Sequence, residues 1–271
     1  MMFAVVGLGN LGSGIASRLA DTGHEVVGMD PSAEARESWA ATGSAAVADL
    51  ADLPWPDVSA VFVVVLLTSQ VEDTLVRLRE LVGDDGTERA VYVVSTLGAD
   101  AARRLSASTT PTMRIIESPI SGGGAGARDG LLSVMLGGPV SGDDVKLFES
   151  TIATNVTVFG DYGEPAIAKL LNNAAMAAHA RILADILELA EGLGLGAGRL
   201  YQILLHASGT SRAAVKFRDL RAPTLDKDVR LLLSSIPASR DAGLFGELLP
   251  RLDGLADHMA AARSLLDAEL G

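Results

Sequence analysis

The chain is 271 residues long, 48% hydrophobic and 21% charged, with a formal net charge of -12. That size and composition provide for two globular domains with a sizeable core. The negative balance excludes the broad basic face of a nucleic-acid binder, and the absence of cysteine excludes disulfides, thiolate catalysis and cysteine-held metals.

The N-terminus runs from Met1 directly into apolar Met2-Phe3-Ala4-Val5-Val6, without a basic leader, and reads as a first strand rather than a signal peptide. Further strands are expected at Glu25 to Met29, Ala60 to Leu66, Ala90 to Val94, Arg114 to Glu117, Leu132 to Leu136 and Asn155 to Phe159, alternating with helical patterns. Val61-Phe62-Val63-Val64-Val65-Leu66 is continuously apolar, the pattern of a parallel strand covered on both faces. It is also far shorter than the roughly 20 residues that span a bilayer, so the expectation is a cytoplasmic protein with no membrane partner.

Strand-like runs stop after Gly160. A long helix is expected from Ala166 to Leu193, about 40 Å at 1.5 Å per residue, followed by helices separated by Gly194-Leu195-Gly196, Pro223, Pro237 and Pro250. The expected architecture is α/β: a Rossmann-type, doubly wound, mostly parallel sheet over 1–160, followed by an all-helical domain over 161–271 that serves substrate binding and dimerisation. The small residues along the long helix favour close packing, and with its apolar length they predict a homodimer or larger homo-oligomer.

Three motifs carry chemistry. Gly7-Leu8-Gly9-Asn10-Leu11-Gly12 follows the first strand and opens a helix, where glycines permit a tight turn and close approach of a pyrophosphate to the helix N-terminus. Asp30, at the end of the second strand, has the spacing of the acidic residue that accepts the adenosine ribose hydroxyls. It favours NAD over NADP, while Arg36 on the next helix is the one cation placed to reach a 2′-phosphate.

The second motif, Glu117-Ser118-Pro119-Ile120-Ser121-Gly122-Gly123-Gly124, combines successive glycines with a serine, a pattern whose main-chain N–H groups can converge on a carboxylate. The third is Lys169-Leu170-Leu171-Asn172-Asn173, in which positions i, i+3 and i+4 share a helix face. Only four lysines, at 146, 169, 216 and 227, occur among 22 basic residues. A lysine can release its proton at working pH when desolvated and an arginine cannot, so Lys169 is the candidate acid/base. His24, His179, His206 and His258 lack metal-ligand spacing, and no metal site is expected.

In this order the three motifs resemble the β-hydroxyacid dehydrogenase family, which includes 3-hydroxyisobutyrate dehydrogenases. The resemblance covers nearly the whole chain and implies hydride exchange between a nicotinamide cofactor, NAD in preference to NADP, and a small hydroxy acid or semialdehyde. It implies catalytic roles for Lys169, Asn173 and Ser121, with Ser121, Gly122, Gly123, Lys169, Asn173 and Lys227 around the substrate. Gly7, Leu8, Gly9, Asn10, Leu11, Gly12, Asp30, Val65, Leu66, Gln70, Thr96 and Lys227 would hold the cofactor. Ser95-Thr96 resembles the family's cofactor-contacting pair, Lys227-Asp228 its C-terminal Lys-Asp pair, and Ser208-Gly209-Thr210-Ser211 the serine- and glycine-rich segment before it. Two departures are that Val65-Leu66 stands where a Leu-Pro is common and that the C-terminal half is somewhat trimmed. Imine reductases share the architecture but usually lack the lysine. A catalytically silent nucleotide-binding module would have no need of Lys169 or the Ser-Gly-Gly loop.

Overall fold

The structure, a computed structural model, describes residues 1–82, 85–236, 243–252 and 254–270. Pro237 therefore lies outside the described residues. The chain divides into two compact units, Met1–Lys169 and Leu170–Gly271.

The first unit begins β1 (Met2–Val6), α1 (Asn10–Asp21), β2 (Glu25–Met29), α2 (Ala33–Ala40) and β3 (Ala45–Val47). It continues with β4 (Val58–Val63), α3 (Thr68–Val82), β5 (Arg89–Val93), α4 (Ala99–Arg104) and β6 (Met113–Glu117). These six strands form one sheet in the order β3-β2-β1-β4-β5-β6, every neighbouring pair parallel. This is the Rossmann order, which places a ligand crevice beyond the carboxyl ends of β1 and β4, where the chain direction of travel across the sheet reverses.

The unbroken apolar strands follow from burial on both faces. Side chains alternate across a strand, so Phe3, Val5, Ala60, Phe62, Ala90 and Tyr92 enter one core cluster while Ala4, Val6, Val61, Val63, Val91 and Val93 enter the other. The aromatic rings of Phe62, Tyr92 and Phe148 lie 4.9 to 5.9 Å apart, tilted or edge-on, and fill the first of these layers.

The remaining strands form a separate sheet, which differs from the single sheet expected. β7 (Ile120–Ser121), α5 (Gly123–Arg128), β8 (Leu132–Leu136), α6 (Gly142–Ser150) and β9 (Ala153–Val158) follow β6. β8 pairs antiparallel with β7 and parallel with β9. β3 and β7 were not among the expected strands, and the fourth strand ends at Val63 rather than Leu66. Its end is set by Ser95, whose hydroxyl closes the Val65 turn.

α7 (Glu164–Gly192) follows, with the unit boundary between its sixth and seventh residues. It starts two residues earlier than expected because Glu117 receives the N–H groups of Gly163 and Ala166. The second unit then contains α8 (Ala197–His206), α9 (Arg212–Lys216), α10 (Ala222–Ser235), α11 (Gly243–Leu248) and α12 (Leu255–Leu270), with no strand among its described residues. Leu170, Ala174, Ala177, Ala180, Leu183, Ala184 and Leu187 form the buried stripe of α7, packed with Tyr201, Phe217, Leu225, Met259 and Leu266. Pro223 lies in the first turn of α10, where its missing N–H costs nothing, and Ser211 caps α9 by accepting the Ala214 N–H. No described helix is long and apolar enough to cross a membrane.

Candidate active site

The first unit builds a cradle from the turn after β1. Gly7 has φ +96°, and a Cβ there would lie 2.3 Å from the Val64 carbonyl oxygen; one on Gly12 would lie 1.8 Å from the Gly7 oxygen. Both glycines are required by the protein's own packing. Gly9 differs: it precedes α1, and a Cβ there would meet nothing within 4 Å. α1 has neither a side-chain cap nor an acid in its first turn. Its leading N–H groups and positive dipole end are thus open toward the space that Gly9 leaves clear. These features fit the pyrophosphate of a dinucleotide, with Gly7, Leu8, Gly9, Asn10, Leu11 and Gly12 as its cradle.

Asp30 shapes this turn. Its Oδ2 accepts the Leu8 N–H at 2.8 Å and its Oδ1 accepts the Ser32 N–H at 2.9 Å. The carboxylate is oriented by main-chain donors and retains lone pairs for ribose hydroxyls. Arg36 turns its Nη1 to the carbonyls of Asp30 and Pro31, at 2.8 and 2.9 Å, which ties it to the loop.

Across the crevice, the Ser95 hydroxyl accepts the Val65 N–H at 3.0 Å and donates to the Val65 carbonyl at 2.7 Å. The Gln70 side-chain amide oxygen accepts the N–H groups of Leu66 and Leu67 at 3.1 and 2.9 Å, so this residue fixes the turn before α3. Leu66 and Leu67 are left exposed beyond the end of β4, and Thr96 is half-buried beside Ser95.

The Ser-Gly-Gly segment is more ordered than a loop. Ser121 lies in β7, paired with Ser133, and Gly122 and Gly123 have φ +136° and +68° as the chain turns into α5. A Cβ on Gly124 would fall 2.4 Å from the Asn10 carbonyl oxygen, and one on Gly14 2.6 Å from the Gly124 oxygen. Glycine at 124 and 14 lets α5 lie directly on α1, which brings the first two motifs together.

Lys169 and Asn173 stand four residues apart on α7, each buried at 8% exposure, while Asn172 is exposed. The third motif therefore contributes one buried asparagine, not two. Asn173 donates its amide to Asp228 Oδ2 at 2.5 Å and accepts at Oδ1 from the Asn172 amide at 3.1 Å. Asp228, on α10, is 1% exposed, and Lys227 Nζ lies 3.5 Å from its Oδ1 without hydrogen-bond geometry. A buried carboxylate beside an ammonium is paired as burial requires, and it fixes which way the Asn173 amide faces.

Ser95 and Asp228 belong to pairs that the resemblance singled out, but what they hold in place, like the role of Glu117, was not expected from the sequence. None of the four histidines joins these groups: His258 lies 3.8 Å from Asp185, and His179 is exposed.

Residues 2–160 match the family model described as the NAD binding domain of 6-phosphogluconate dehydrogenase. The chain is 29% identical over 263 residues to a mitochondrial 3-hydroxyisobutyrate dehydrogenase of Drosophila melanogaster, covering 95% of this chain and 77% of that protein. It is 27% identical to an NAD-dependent L-serine dehydrogenase of Pseudomonas aeruginosa, over 96% and 85% of the two chains. The crystal structure of a 3-hydroxyisobutyrate dehydrogenase from Salmonella typhimurium superposes with a TM-score of 0.83 at 22% identity, over 97% of this chain and 99% of that one. With its NAD-binding domain matched from the first strand to Gly160, the chain belongs to the β-hydroxyacid dehydrogenase family of NAD(P)-dependent oxidoreductases.

Proposed function

We propose that the protein reversibly oxidises the hydroxyl of a small β-hydroxy acid, of the 3-hydroxyisobutyrate, serine or sugar-acid kind, to the corresponding carbonyl. The observation that carries this reading is the burial of Lys169 one helical turn before an asparagine whose amide is oriented by a buried carboxylate. A solvated surface lysine would need neither. When bound, the nicotinamide supplies the hydride chemistry.

Lys169 Nζ takes the hydroxyl proton during oxidation and returns a proton to the carbonyl oxygen during reduction. Asn173 orients that same oxygen, and Lys227 supplies positive charge near the substrate and cofactor. Ser121, with the main chain of Gly122 and Gly123, receives the substrate carboxylate. A positioned acid/base of this kind typically accounts for about 10²- to 10⁴-fold in rate.

NAD is the preferred cofactor in this reading, because the Asp30 carboxylate opposes the added charge of a 2′-phosphate while Arg36 is tied to main-chain carbonyls. Titration calorimetry checks this. The wild type should bind NAD more tightly than NADP, and Asp30→Ser should narrow the gap, with some loss for both because Leu8 loses its anchor.

The reaction is tested by following reduced-nicotinamide absorbance across 3-hydroxyisobutyrate, L-serine, threonate and glycerate, with cyclic imines as reduction substrates. NAD-dependent oxidation of one of the hydroxy acids is the expected result. Turnover of imines alone would assign the chain to the reductase chemistry that shares its architecture.

A further inference from the structure

Glu117 is the last residue of β6, and its side chain is 2% exposed. A carboxylate there must replace its lost hydration with partners. Both partners come from the start of α7: Oε2 accepts the Gly163 N–H at 2.6 Å and Oε1 accepts the Ala166 N–H at 2.7 Å. The main chain of the same residue exchanges two hydrogen bonds with Gly137, at 3.0 and 2.9 Å, and the next residue, Ser118, donates to Val93 at 2.9 Å. Three residues further, Ser121 enters β7.

Glu117 is therefore a joint. Its main chain fixes the entry to the Ser-Gly-Gly segment, and its side chain fixes the axial position and rotation of the helix that carries Lys169 three residues beyond Ala166, about 4.5 Å along the axis. An exposed Ser or Asp would satisfy a helix start without burying a charge. The reach of glutamate from sheet to helix is what a short capping residue lacks.

We propose that Glu117 is a positioning residue for the reaction, holding Lys169 in register with the segment that receives the substrate carboxylate. This rests on the reading of Lys169 as the proton carrier. Misplacement by about 1 Å can cost roughly 10²-fold in rate, so the effect falls on turnover rather than on cofactor affinity. The charged and titratable groups around Glu117 are Arg103 of α4, Glu164 of α7 and Tyr162. Burial pushes the Glu117 carboxyl up, against the two N–H groups and Arg103.

The test compares Glu117→Gln and Glu117→Asp with the wild type, taking kcat per folded enzyme, calorimetric NAD affinity and melting temperature. Gln keeps the shape but offers one acceptor to two donors and removes the charge. Its kcat per folded enzyme should fall about 10-fold or more with NAD affinity unchanged. Asp keeps the charge with a shorter reach, so its kcat should fall as well, again with NAD affinity unchanged.

A lower melting temperature with wild-type kcat in the Gln variant would overturn the proposal. Should that variant fail to fold, a wild-type kcat for Glu117→Asp would overturn it instead. Lys169→Arg separates the two readings. If that enzyme stays active, the assignment of Lys169 fails; if it is inactive while both Glu117 variants turn over normally, only the role of Glu117 fails.

Discussion

Gly9 and Gly12 belong to one motif yet lack side chains for different reasons. A methyl group on Gly12 would occupy the Gly7 carbonyl, so Gly12→Ala must displace the turn, whereas one on Gly9 meets open space in the protein itself. Gly9→Ala should stay within about 1 kcal/mol of wild-type stability and lose NAD affinity, since the added methyl intrudes only on the ligand's space. Gly12→Ala should lose stability as well. Calorimetry and thermal melting on both proteins check this; equal melting losses would refute the distinction. The motif made both glycines legible in the sequence because a strand, a tight turn and a helix follow one another there. Ser95, Glu117 and Asp228 were not legible in the same way. Their partners lie 30, 46 to 49 and 55 residues away, and a hydrogen bond over such a separation leaves no local pattern.

At the scale of elements, the strands that could be read were those with long apolar runs, and the two that could not are the shortest. β3 has three residues, two of them alanine, and β7 has two, so neither spans enough positions to show a period. The ends of β4 and α7 shifted because side chains from elsewhere, Ser95 and Glu117, set them.

α7 shows a further pattern. Its buried stripe covers one face, while Ile182, Ile186 and Leu189, with Leu193 just past its end, remain 46%, 37%, 60% and 76% exposed at spacings of 4, 3 and 4. That is the a/d spacing of a helix seam. Together with the small residues of this helix it is in keeping with the homodimer expected from the sequence, in which a second copy of the chain would cover the face. Ile186→Glu places a charge in that seam and should yield monomer by light scattering at micromolar concentration. A dimer that persists in this variant would place the interface elsewhere.

For the whole molecule, pH stability is governed by buried carboxylates of opposite behaviour. Asp144, 3% exposed, is raised by burial but lowered more by Arg114, Tyr92 and Ser141, which donate to it, and lies below its ordinary 3.8. A depressed carboxyl contributes stability above its unfolded pKa and loses it as pH falls through the folded one. Asp144→Asn should cost about 2 kcal/mol at pH 7, and the gap from wild type should close toward pH 3. Glu117, raised above 4.5, has the opposite sign: its contribution is full below that pH and is lost as pH rises through the folded value. Denaturant melts of Asp144→Asn that show a constant gap from pH 7 to 3 would contradict the assignment.

Proton transfer is assigned to Lys169, and the direct measurement is kcat for Lys169→Arg and Lys169→Ala on the hydroxy acid that the screen identifies. Arginine keeps the positive charge but does not release its proton near neutral pH, and alanine removes both. If proton transfer is the essential role, both variants should lose about two to four orders of magnitude in kcat while binding NAD with wild-type affinity, since Gly7 to Gly12 and Asp30 are intact. Retention of most of the activity by Lys169→Arg would exclude proton transfer by this residue and leave the lysine as an electrostatic anchor only.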